Sequence, residues 1–491
     1  MNGTRDQNIH VVLMPWLAFG HIMPFYQLSV SLAKAGVHVS LISTPKNIQK
    51  LPELPPDVSN LVDLVALPLP AIDRNLLPED AEATVDIPFD KIQYLKMAYD
   101  LLKNPFKQFI AEQSPSPTCI IADSLAHWVA EVGQEMNIPI MCFFAFPAAI
   151  AVSVGPPEYH MKPATPSIES MMTKPPWVDF PSIIAFKKQE AIAVHAGFYN
   201  EDASGFSTAQ RTATVIQASK AFAIRSCPKL ETEYFNILEK IMGKPAIPVG
   251  FLPPGRSIST EASNIFKNDE SWNEIFKWLD EQRSRSVVFV GFGSECKLSK
   301  DQVREIAYGL ELSGLPFLWV LQKPSWASNN FEDVLPLGFK SRVIGKGMVQ
   351  IGWAPQREIL GHPSVGGCLF HAGWGSVIEA MQYGHSLVLL PFVADQGLNA
   401  RFLVEKRLAI EVERNDEDGW FSKDDIAESL RKAMGENGEG EALRARAGEA
   451  AALFGDQELN EGYIEGLVEY LKIAGAQNKM PTATRGGDNS I

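Results

Sequence analysis

Short apolar runs alternate along the chain with longer amphipathic segments, and polar residues are concentrated between them. The run 9–15 (IHVVLMP) is almost entirely apolar, as is typical of a strand buried on both faces of a parallel sheet. The segment 23–36 has helical spacing and ends at Gly36. This alternation predicts crossover units and a doubly wound α/β fold. Further strands are predicted at 37–43, 62–67, 118–123 and 138–146, helices at 89–113, 124–137 and 228–243, and the sheet is expected to resume over 213–226.

A second alternating series begins after a predicted helix at 271–282. A strand and turn at 286–294, a helix at 299–314 and a strand at 315–321 follow. The stretch 353–396 then predicts a turn, a short helix, a buried strand, a Gly-rich turn, a helix, a second buried strand and a loop. Helices are predicted at 395–408 and throughout 422–473. We therefore expect two α/β halves of similar plan that face each other across a cleft.

The change of pattern between the two series predicts where the chain divides. At 491 residues the chain exceeds the roughly 250 to 300 residues at which single cores stop growing. We expect domains at 1–250 and 265–457, joined by a Pro-, Gly- and Ser-rich linker at 251–264, and a disordered tail at 476–491. Residues 145–212 lose the α/β rhythm, so they either line a pocket for an apolar small molecule or form a surface loop without function.

Composition excludes several classes of protein. A net charge of −14 and an isoelectric point near 5.2 argue against a nucleic-acid-binding surface or a basic membrane-binding face. No apolar run reaches the roughly 18 residues that a membrane span needs, and no signal peptide is evident, so we expect a cytoplasmic protein. The cysteines lie singly in apolar runs and are expected to be buried free thiols: Cys119, Cys142, Cys227, Cys296 and Cys368.

Candidate chemistry is concentrated where the predicted strand 365–370 meets the next helix. A helix N-terminus offers unpaired backbone N–H groups and the positive end of the helix dipole, which together favour a diphosphate. The residues at this junction are His371, Gly373, Trp374, Gly375 and Ser376. The stretch therefore predicts a nucleotide-diphosphate site.

The turn 291–296 (GFGSEC) also follows a strand and precedes a helix. Cys296 occupies the position of the third glycine in G-x-G-x-x-G, which weakens a dinucleotide interpretation. A turn that approaches a phosphate, with Ser294 donating a hydrogen bond, fits better. No P-loop motif is present.

His21 and Asp123 each follow a predicted strand, at the sheet edge where open α/β folds expose functional side chains. A carboxylate bound to one imidazole nitrogen makes the other more basic, so the pair could deprotonate a hydroxyl. Structural roles are the alternatives, with Asp123 as a helix cap. Neither GxSxG, a Cys/His protease pattern, HExxH nor a metal-ligand spacing is present.

Taken together, these residues resemble the plant family 1 UDP-dependent glycosyltransferases. The 44 positions from Trp353 to Gln396 look like the signature box of that family. Further similar segments are HVVLMPWLAFGHIMPF, IIADSLAHW, FVGFGSECKLS and GLELSGLPFLWVLQKP, which with ADQGLNARFL look like the subgroup that adds a sugar to an existing glycoside. The resemblance implies a GT-B fold, with the acceptor bound by 1–250, the UDP-sugar by 265–457, and a helix at about 458–475 packed back on the first domain.

The resemblance also implies a role for each matching residue. Trp353, followed by Ala354, would stack on uracil, and Gln356 and Glu379 would bind the ribose hydroxyls. Donors at the strand–helix junction would hold the diphosphate: His371, Ser376, the backbone N–H of Trp374, and Ser294 nearby.

The reacting sugar lies at the other end of this implied site. Asp395 and Gln396 would bind its hydroxyls, and Gln at that position usually accompanies glucose. His21 would act as general base with Asp123 as its partner, attack would invert the anomeric carbon, and neither a metal nor another cofactor is implied. Gly375 departs from the family pattern, which has Asn there, and so bears on the choice of donor sugar.

We therefore expect a monomeric transferase whose partners are a UDP-sugar and a flavonoid, terpenoid or steroid glycoside. UDP-rhamnose is the competing donor. The rivals from other classes are a non-catalytic small-molecule binder and a nicotinamide oxidoreductase.

Overall fold

The computed structural model describes residues 9–161, 166–255, 270–324, 326–327, 334–436 and 438–478. Two sheets, of seven and six strands, carry the fold. We refer to residues 9–255 as the N-terminal half and to residues 270–478 as the C-terminal half.

The first sheet is wholly parallel, with strand order β3-β2-β1-β4-β5-β6-β7. Its central strands are buried on both faces, which explains their apolar sequences. The strands are β1 (His10–Met14), β2 (His38–Ser43), β3 (Val62–Ala66), β4 (Cys119–Ala122), β5 (Ile140–Phe144), β6 (Ala221–Ile224) and β7 (Ala246–Pro248).

Helices connect these strands and cover the sheet. They are α1 (Phe19–Lys34), α2 (Pro45–Gln49), α3 (Ile92–Asp100), α4 (Lys103–Glu112), α5 (Val129–Glu135), α6 (Ala148–Val154), α7 (Pro157–Met161), α8 (Ile168–Met171), α9 (Lys188–Val194), α10 (Thr208–Ala218) and α11 (Pro228–Met242). Two 3-10 turns (Thr84–Asp86 and Phe89–Lys91) and a π-helical turn (His195–Tyr199) complete this half.

The second sheet is also parallel, with the order β10-β9-β8-β11-β12-β13. Its strands are β8 (Val287–Gly291), β9 (Phe317–Leu321), β10 (Gly347–Ile351), β11 (Val365–Phe370), β12 (Ser386–Leu389) and β13 (Ala409–Glu411). Its helices are α12 (Glu270–Asp280), α13 (Lys300–Ser313), α14 (Phe339–Arg342), α15 (Gln356–Leu360), α16 (Trp374–Met381), α17 (Gln396–Glu405), α18 (Lys423–Met434), α19 (Glu439–Phe454) and α20 (Gln457–Asn478). The predicted doubly wound fold with two parallel sheets is confirmed.

Both sheets reverse their strand order at one point, between β1 and β4 and between β8 and β11. Met14 pairs with Ala122 at the carboxyl ends of the first two strands, and Gly291 pairs with Phe370 at the ends of the second two. Loops that leave such neighbouring strand ends diverge and form a crevice. This topology therefore brings together the segments after β1 and β4, and those after β8 and β11.

Several element boundaries differ from the prediction. The expected helix 89–113 is split after Asp100, because Pro105 lacks an N–H and its ring would clash with a carbonyl one turn earlier in a continuous helix. The expected helix 124–137 begins only at Val129, since Asp123 accepts a hydrogen bond from the backbone of Leu125 (3.1 Å) and shapes a turn. The first part of 213–226 is the end of α10.

Three strands, β7, β10 and β13, were not predicted. They form edges of the two sheets, and β10 is only half-buried along its whole length. An edge strand lacks burial on both faces, so its sequence does not carry the continuous apolar signal on which the prediction depended.

The last helix, α20, packs on the N-terminal half. Its apolar residues, which include Ile464 and Leu471, share a core with the first sheet. Asn460 accepts a hydrogen bond from the backbone of Phe251 (2.7 Å). The helix continues through Asn478 rather than ending before the expected tail at 476–491, whose remaining residues lie outside the described part of the chain. The expected linker, 251–264, also lies outside it beyond residue 255.

Trp374, the first residue of α16, joins the two halves. Its indole N–H donates to the backbone carbonyl of Arg225 (2.8 Å), directly after β6, and its rings contact those of Phe251, Phe402 and Phe454. Trp374 is 4% exposed, so water has little access to this hydrogen bond.

Replacing Trp374 by Phe should keep the ring packing and leave the Arg225 carbonyl without its partner. A buried unpaired carbonyl costs about 1 to 3 kcal/mol, so we expect a melting temperature lower by several degrees in a thermal scan. Trp326→Phe is the matched control, because the Trp326 indole also donates to a carbonyl, that of Leu298 (2.8 Å), but is 36% exposed, so water can replace it. Equal shifts in the two variants would contradict this account.

Candidate active site

His21 and Asp123 meet at the switch point of the first sheet. His21 lies in the first turn of α1, and its Nδ1 is 2.7 Å from Oδ2 of Asp123. Oδ1 of Asp123 accepts from the Leu125 backbone, so one carboxylate both shapes the turn and orients the imidazole. Asp123 is 2% exposed and the His21 side chain 32% exposed, which leaves the ring accessible to a small molecule.

The charge around His21 comes from both halves. Burial lowers its pKa, but the charge and hydrogen bond of Asp123, with the charges of Asp395 and Glu295, outweigh burial and raise the pKa above its ordinary value of 6.5. Asp395 and Glu295 belong to loops of the second sheet. With Nδ1–H donating to Asp123, Nε2 carries the lone pair that can accept a proton.

His371 lies at the other switch point, between two glycines. A Cβ on Gly293 would be 2.9 Å from Cε1 of His371, and one on Gly373 would be 2.6 Å from Nε2. Gly293 also has a φ of +69°, so only glycine fits there without strain. The loops after β8 and β11 are thus packed against each other. Burial lowers the pKa of His371 to about 4, so the ring is neutral at pH 7.

The first turn of α16 directly follows His371, with Gly373 as its N-cap. The backbone N–H groups of Trp374 and Ser376 belong to this turn, where helices lack internal acceptors. Ser376 and Gln356 line one small cavity beside Gly291, at the end of β8. Ser294 is in the exposed turn that follows β8. The structure therefore places the predicted diphosphate ligands around one switch point.

Gln356, the first residue of α15, is hydrogen-bonded to Glu379 of α16. The Gln356 amide donates to Oε2 of Glu379 (2.7 Å). Burial raises the pKa of Glu379, while this hydrogen bond and the charges of Arg225 and Arg357 oppose the rise. Oε1 of Glu379 takes no part in this hydrogen bond and is left for another partner.

Trp353 and Ala354 follow the edge strand β10. The Trp353 side chain is 64% exposed, which is unusual for so large an apolar ring. Ala354 is half-buried and its carbonyl accepts from the backbone of Gln356 (2.9 Å). A flat aromatic face is therefore presented to solvent three residues before Gln356, the first residue of α15.

Asp395 and Gln396 stand at the start of α17. Asn399 donates to Oδ2 of Asp395 (2.7 Å), and burial raises the pKa of this carboxyl. Oε1 of Gln396 accepts from the backbone N–H groups of Phe392 (2.9 Å) and Val393 (3.0 Å). Gln396 can therefore offer only its amide NH2 to a bound hydroxyl.

Known proteins of similar sequence share nearly the whole length of the chain. Residues 261–439 match the profile of the family described as "UDP-glucoronosyl and UDP-glucosyl transferase". UDP-glycosyltransferase 91C1 of Arabidopsis thaliana is 40% identical over 474 residues, which cover 96% of this chain and 99% of that protein. The soyasaponin III rhamnosyltransferase of Glycine max is 38% identical over 487 residues, with 99% of each chain covered.

This chain belongs to the plant family 1 UDP-dependent glycosyltransferases. The structure of a UGT transferase from Siraitia grosvenorii in complex with UDP has the same fold, with a TM-score of 0.73 and 24% identity over 95% of this chain and all of the other. The predicted GT-B architecture and enzyme class are confirmed. The interpretations as a non-catalytic binder or a nicotinamide oxidoreductase are set aside.

Two side chains of this glycosyltransferase that face the predicted site were missed from the sequence. Glu295 follows Ser294 and accepts a hydrogen bond from Thr84 of the other half (2.8 Å). Arg225 directly follows β6 and is 2% exposed. A charged residue immediately after an apolar strand is the signal that could have indicated Arg225, because strand carboxyl ends face the cleft.

The irregular segment 145–212 of the glycosyltransferase contains a cavity of about 270 Å³. It lies between this segment and Leu398 of α17, two residues after Gln396. Apolar and aromatic side chains dominate its walls, including Tyr159, Met171, Trp177, Phe186 and Tyr199. Of the two interpretations of this segment, a pocket for an apolar ligand therefore fits better than a surface loop without function.

Cysteines, metal-ligand groups and apolar helices also bear on the features that the sequence predicts. All five cysteines are free and buried, as predicted. Within the described ranges, no three His, Cys, Asp or Glu side chains are grouped closely enough to bind a metal ion. No helix in the described part of the chain combines the length and apolar character that a membrane crossing requires.

Replacing Asp123 by Asn should lower the pKa of His21, because the charge and the hydrogen bond that raise it are removed. The ring would then lose its proton at lower pH, and its Nε2 would be a weaker base. An NMR titration of the histidine ring protons measures this without any substrate. Asp63→Asn is the matched control, since Asp63 pairs with exposed His38 (2.9 Å), and it should leave His21 unchanged. An unaltered His21 titration in Asp123→Asn would refute the proposed electrostatic pairing.

Proposed function

We propose that this enzyme transfers a hexose, with glucose favoured, from a UDP-sugar to a sugar hydroxyl of a small plant glycoside, with inversion and without a metal. The observation that carries the proposal is the position of the His21–Asp123 pair, which faces Asp395 and Glu295 across the cleft. A base that faces the loops assigned to the donor sugar is positioned to take the proton of an acceptor hydroxyl as that hydroxyl attacks.

His21 is assigned as the general base. Its Nε2 removes the proton of the acceptor hydroxyl as the oxygen attacks the anomeric carbon. The bond from that carbon to the UDP oxygen breaks on the opposite face, so the configuration inverts. Asp123 stabilises the imidazolium that forms, and UDP leaves with the electron pair.

Stabilisation of the leaving diphosphate is assigned to groups at the second switch point. They are the first-turn N–H groups of α16, the neutral His371 side chain, Ser376 and Ser294. Fixed donors and the helix dipole already oriented toward the anion provide this stabilisation without reorganisation. They support a mechanism in which no metal is needed.

Binding of the uridine is assigned to the Trp353 ring and to the Gln356–Glu379 pair. Trp353, with Ala354, would stack on uracil, because its ring is exposed and flat. Gln356 and Glu379 would bind the ribose hydroxyls, since their own hydrogen bond holds the Glu379 carboxylate in position.

Asp395 and Gln396 are assigned to the donor sugar. Asp395 would accept from the sugar hydroxyls, and Gln396 would donate through its amide NH2. Gly375 offers no side chain to this end of the site. UDP-rhamnose remains the competing donor, since one similar protein is named as a rhamnosyltransferase.

We assign acceptor binding to residues 1–250 and donor binding to residues 265–457. The cavity lined by the irregular segment would hold the apolar part of a flavonoid, terpenoid or steroid glycoside. The name of the Glycine max relative, which refers to a saponin, supports an acceptor that already carries sugar. A monomer suffices for this chemistry, since one chain supplies every group named.

His21→Ala should lower kcat by about 10²- to 10⁴-fold, the usual contribution of a general base, and leave the affinity for UDP unchanged. Turnover is measured as UDP release with a glycoside acceptor, and affinity by calorimetry. His38→Ala is the control, because His38 pairs with Asp63 on the surface. Retention of most of the activity by His21→Ala would exclude the base assignment.

The donor and acceptor are tested by incubating the enzyme with an array of UDP-sugars and of glycosides paired with their aglycones. We expect a hexose added to glycosides from UDP-glucose, seen as a mass shift of the product. Rhamnose transfer in preference to glucose would overturn the donor assignment, and exclusive use of aglycones would overturn the acceptor class.

A further inference from the structure

The helix α17 belongs to both of the sites proposed for the two substrates. Asp395 and Gln396, at its N-terminus, are assigned to the donor sugar, and Leu398 lines the cavity assigned to the acceptor. Ala185 and Phe186, which come from the irregular segment of the N-terminal half, line the same cavity. Each half therefore supplies part of the cavity wall, and the position of one part relative to the other determines the shape of the cavity.

Arg401, three residues after Leu398 on α17, binds the part of the wall that contains Ala185. Its Nε donates to the carbonyl of Ala185 (2.5 Å), and its Nη2 donates to Oε2 of Glu190 in the first turn of α9. Its Nη1 donates to Glu411 (3.2 Å), at the end of β13, so the guanidinium is also anchored in its own half. The Arg401 side chain is 8% exposed and that of Glu190 is 12% exposed, so water competes little for these charge-assisted hydrogen bonds.

Glu405, the last residue of α17, holds the same segment at a second position. Its Oε2 accepts from the backbone N–H of Ile183 (2.9 Å), and its Oε1 accepts from the hydroxyl of Tyr234 (2.8 Å). The cavity-lining residues 184–186 thus lie between a contact with Glu405 and the contacts with Arg401. Water reaches the Ile183 contact, whereas the Arg401 side chain is buried, so Arg401 contributes more to the position of this wall.

Gly397 leaves room for the ion pair between Arg401 and Glu190. A Cβ at this position would be 2.3 Å from Nη2 of Arg401 and 2.5 Å from Oε1 of Glu190. Both distances are shorter than the approach of unbonded atoms, so any side chain larger than hydrogen would displace one member of the pair. Gly397 directly follows Gln396, and the pair is therefore packed against the turn of α17 that carries the residues assigned to the sugar.

We propose that Arg401 is a positioning residue of the acceptor site, which holds the wall formed by Ala185 and Phe186 against α17 and so sets the place of the acceptor relative to the donor sugar. This rests on the proposed function, in which the cavity binds the acceptor and the start of α17 binds the sugar. The role of Arg401 requires no contact with either substrate. Because UDP is assigned to other loops, acceptor affinity depends on Arg401 and UDP affinity does not.

The test measures the acceptor KM at a saturating concentration of UDP-glucose or UDP-rhamnose, whichever the wild type uses. The acceptor is the compound that the wild type converts fastest among quercetin, oleanolic acid, sitosterol and their glucosides. We expect Arg401→Gln to raise the acceptor KM about tenfold, as loss of a charge-assisted contact should, and to leave the affinity for UDP in calorimetry unchanged. In the Glu190→Gln background, Arg401→Gln should have a smaller effect than it has alone, because the two residues act as a pair.

Lys406→Gln is the matched control. Lys406 directly follows α17 and forms an ion pair with Glu233 of the N-terminal half, so this variant also removes a cationic contact between the halves. Glu233 lies on α11, whereas the described cavity lining comes from the irregular segment and Leu398. We expect Lys406→Gln to keep the wild-type acceptor KM. An equal rise of KM in Lys406→Gln and Arg401→Gln would overturn the proposal, since any loosening of the interface would then suffice.

The acceptor KM separates positioning from stability. Partial unfolding lowers the concentration of active enzyme and with it the apparent kcat, but it leaves KM unchanged. Arg401→Gln with a reduced kcat and the wild-type KM would therefore contradict a positioning role. A fall in UDP affinity as large as the rise in acceptor KM would also contradict it, because Arg401 would then act on the whole cleft.

Phe186→Ala distinguishes failure of this proposal from failure of the proposed function. Phe186 lines the cavity, so its truncation should raise the acceptor KM if the cavity binds the acceptor. If Phe186→Ala keeps the wild-type KM, the acceptor assignment of the cavity fails, and the role of Arg401 fails with it. If Phe186→Ala raises KM and Arg401→Gln does not, only the role of Arg401 is overturned.

Gly397→Ala tests the proposal even if Arg401→Gln does not fold. Gly397 lies inside α17, where alanine is favoured over glycine, and its new methyl group would displace Arg401 or Glu190 without removing either charge. We expect the acceptor KM to rise, as in Arg401→Gln, and the affinity for UDP to stay unchanged. A folded Gly397→Ala protein with the wild-type acceptor KM would overturn the proposal by itself.

Discussion

The site depends on one topological constraint: two parallel sheets each reverse strand order once, and the loops at those two points are the ones that diverge into the cleft. Asp123 follows β4 and meets the histidine carried by the turn after β1. His371 follows β11 and packs against the turn after β8. The two clusters are far apart in sequence, and each is assembled by strand pairing alone. The groups proposed as the proton acceptor and as the diphosphate-binding turn therefore each follow directly from paired strands of one half.

Burial then sets the protonation state of each polar group. Desolvation of His371 lowers its pKa to about 4 with no opposing charge, so the ring is neutral at pH 7. His21 is surrounded by carboxylates, so its pKa rises despite burial. The same chemical group can thus serve as a neutral donor near one switch point and as a proton acceptor near the other. Shifted pKa values of this kind are concentrated at functional sites of proteins.

Contact between the halves is both apolar and polar. Trp374 carries aromatic packing and a hydrogen bond across the interface, and Arg401 of α17 reaches Glu190 of α9. Gly397 makes room for that ion pair, since a Cβ there would be 2.3 Å from the Arg401 guanidinium. Glycines near the cleft thus permit close approach of charged side chains from the opposite half. This links the geometry of the proposed donor site to the relative position of the two sheets.

The sequence by itself determined the fold class, the central strands, the buried thiols and the candidate site residues, because strands buried on both faces and a helix that follows a Gly-rich turn leave strong local patterns. Edge strands such as β10 were not predicted from the sequence, since they are half-exposed. The helix predicted at 89–113 is interrupted because of Pro105. Only the tertiary structure decided that Asp123 divides its two oxygens between a turn and His21, that the Trp374 indole lies in the interface, and that Arg225 and Glu295 face the site. These are contacts between residues far apart in sequence, and no local periodicity records which side chains meet when two sheets pack together.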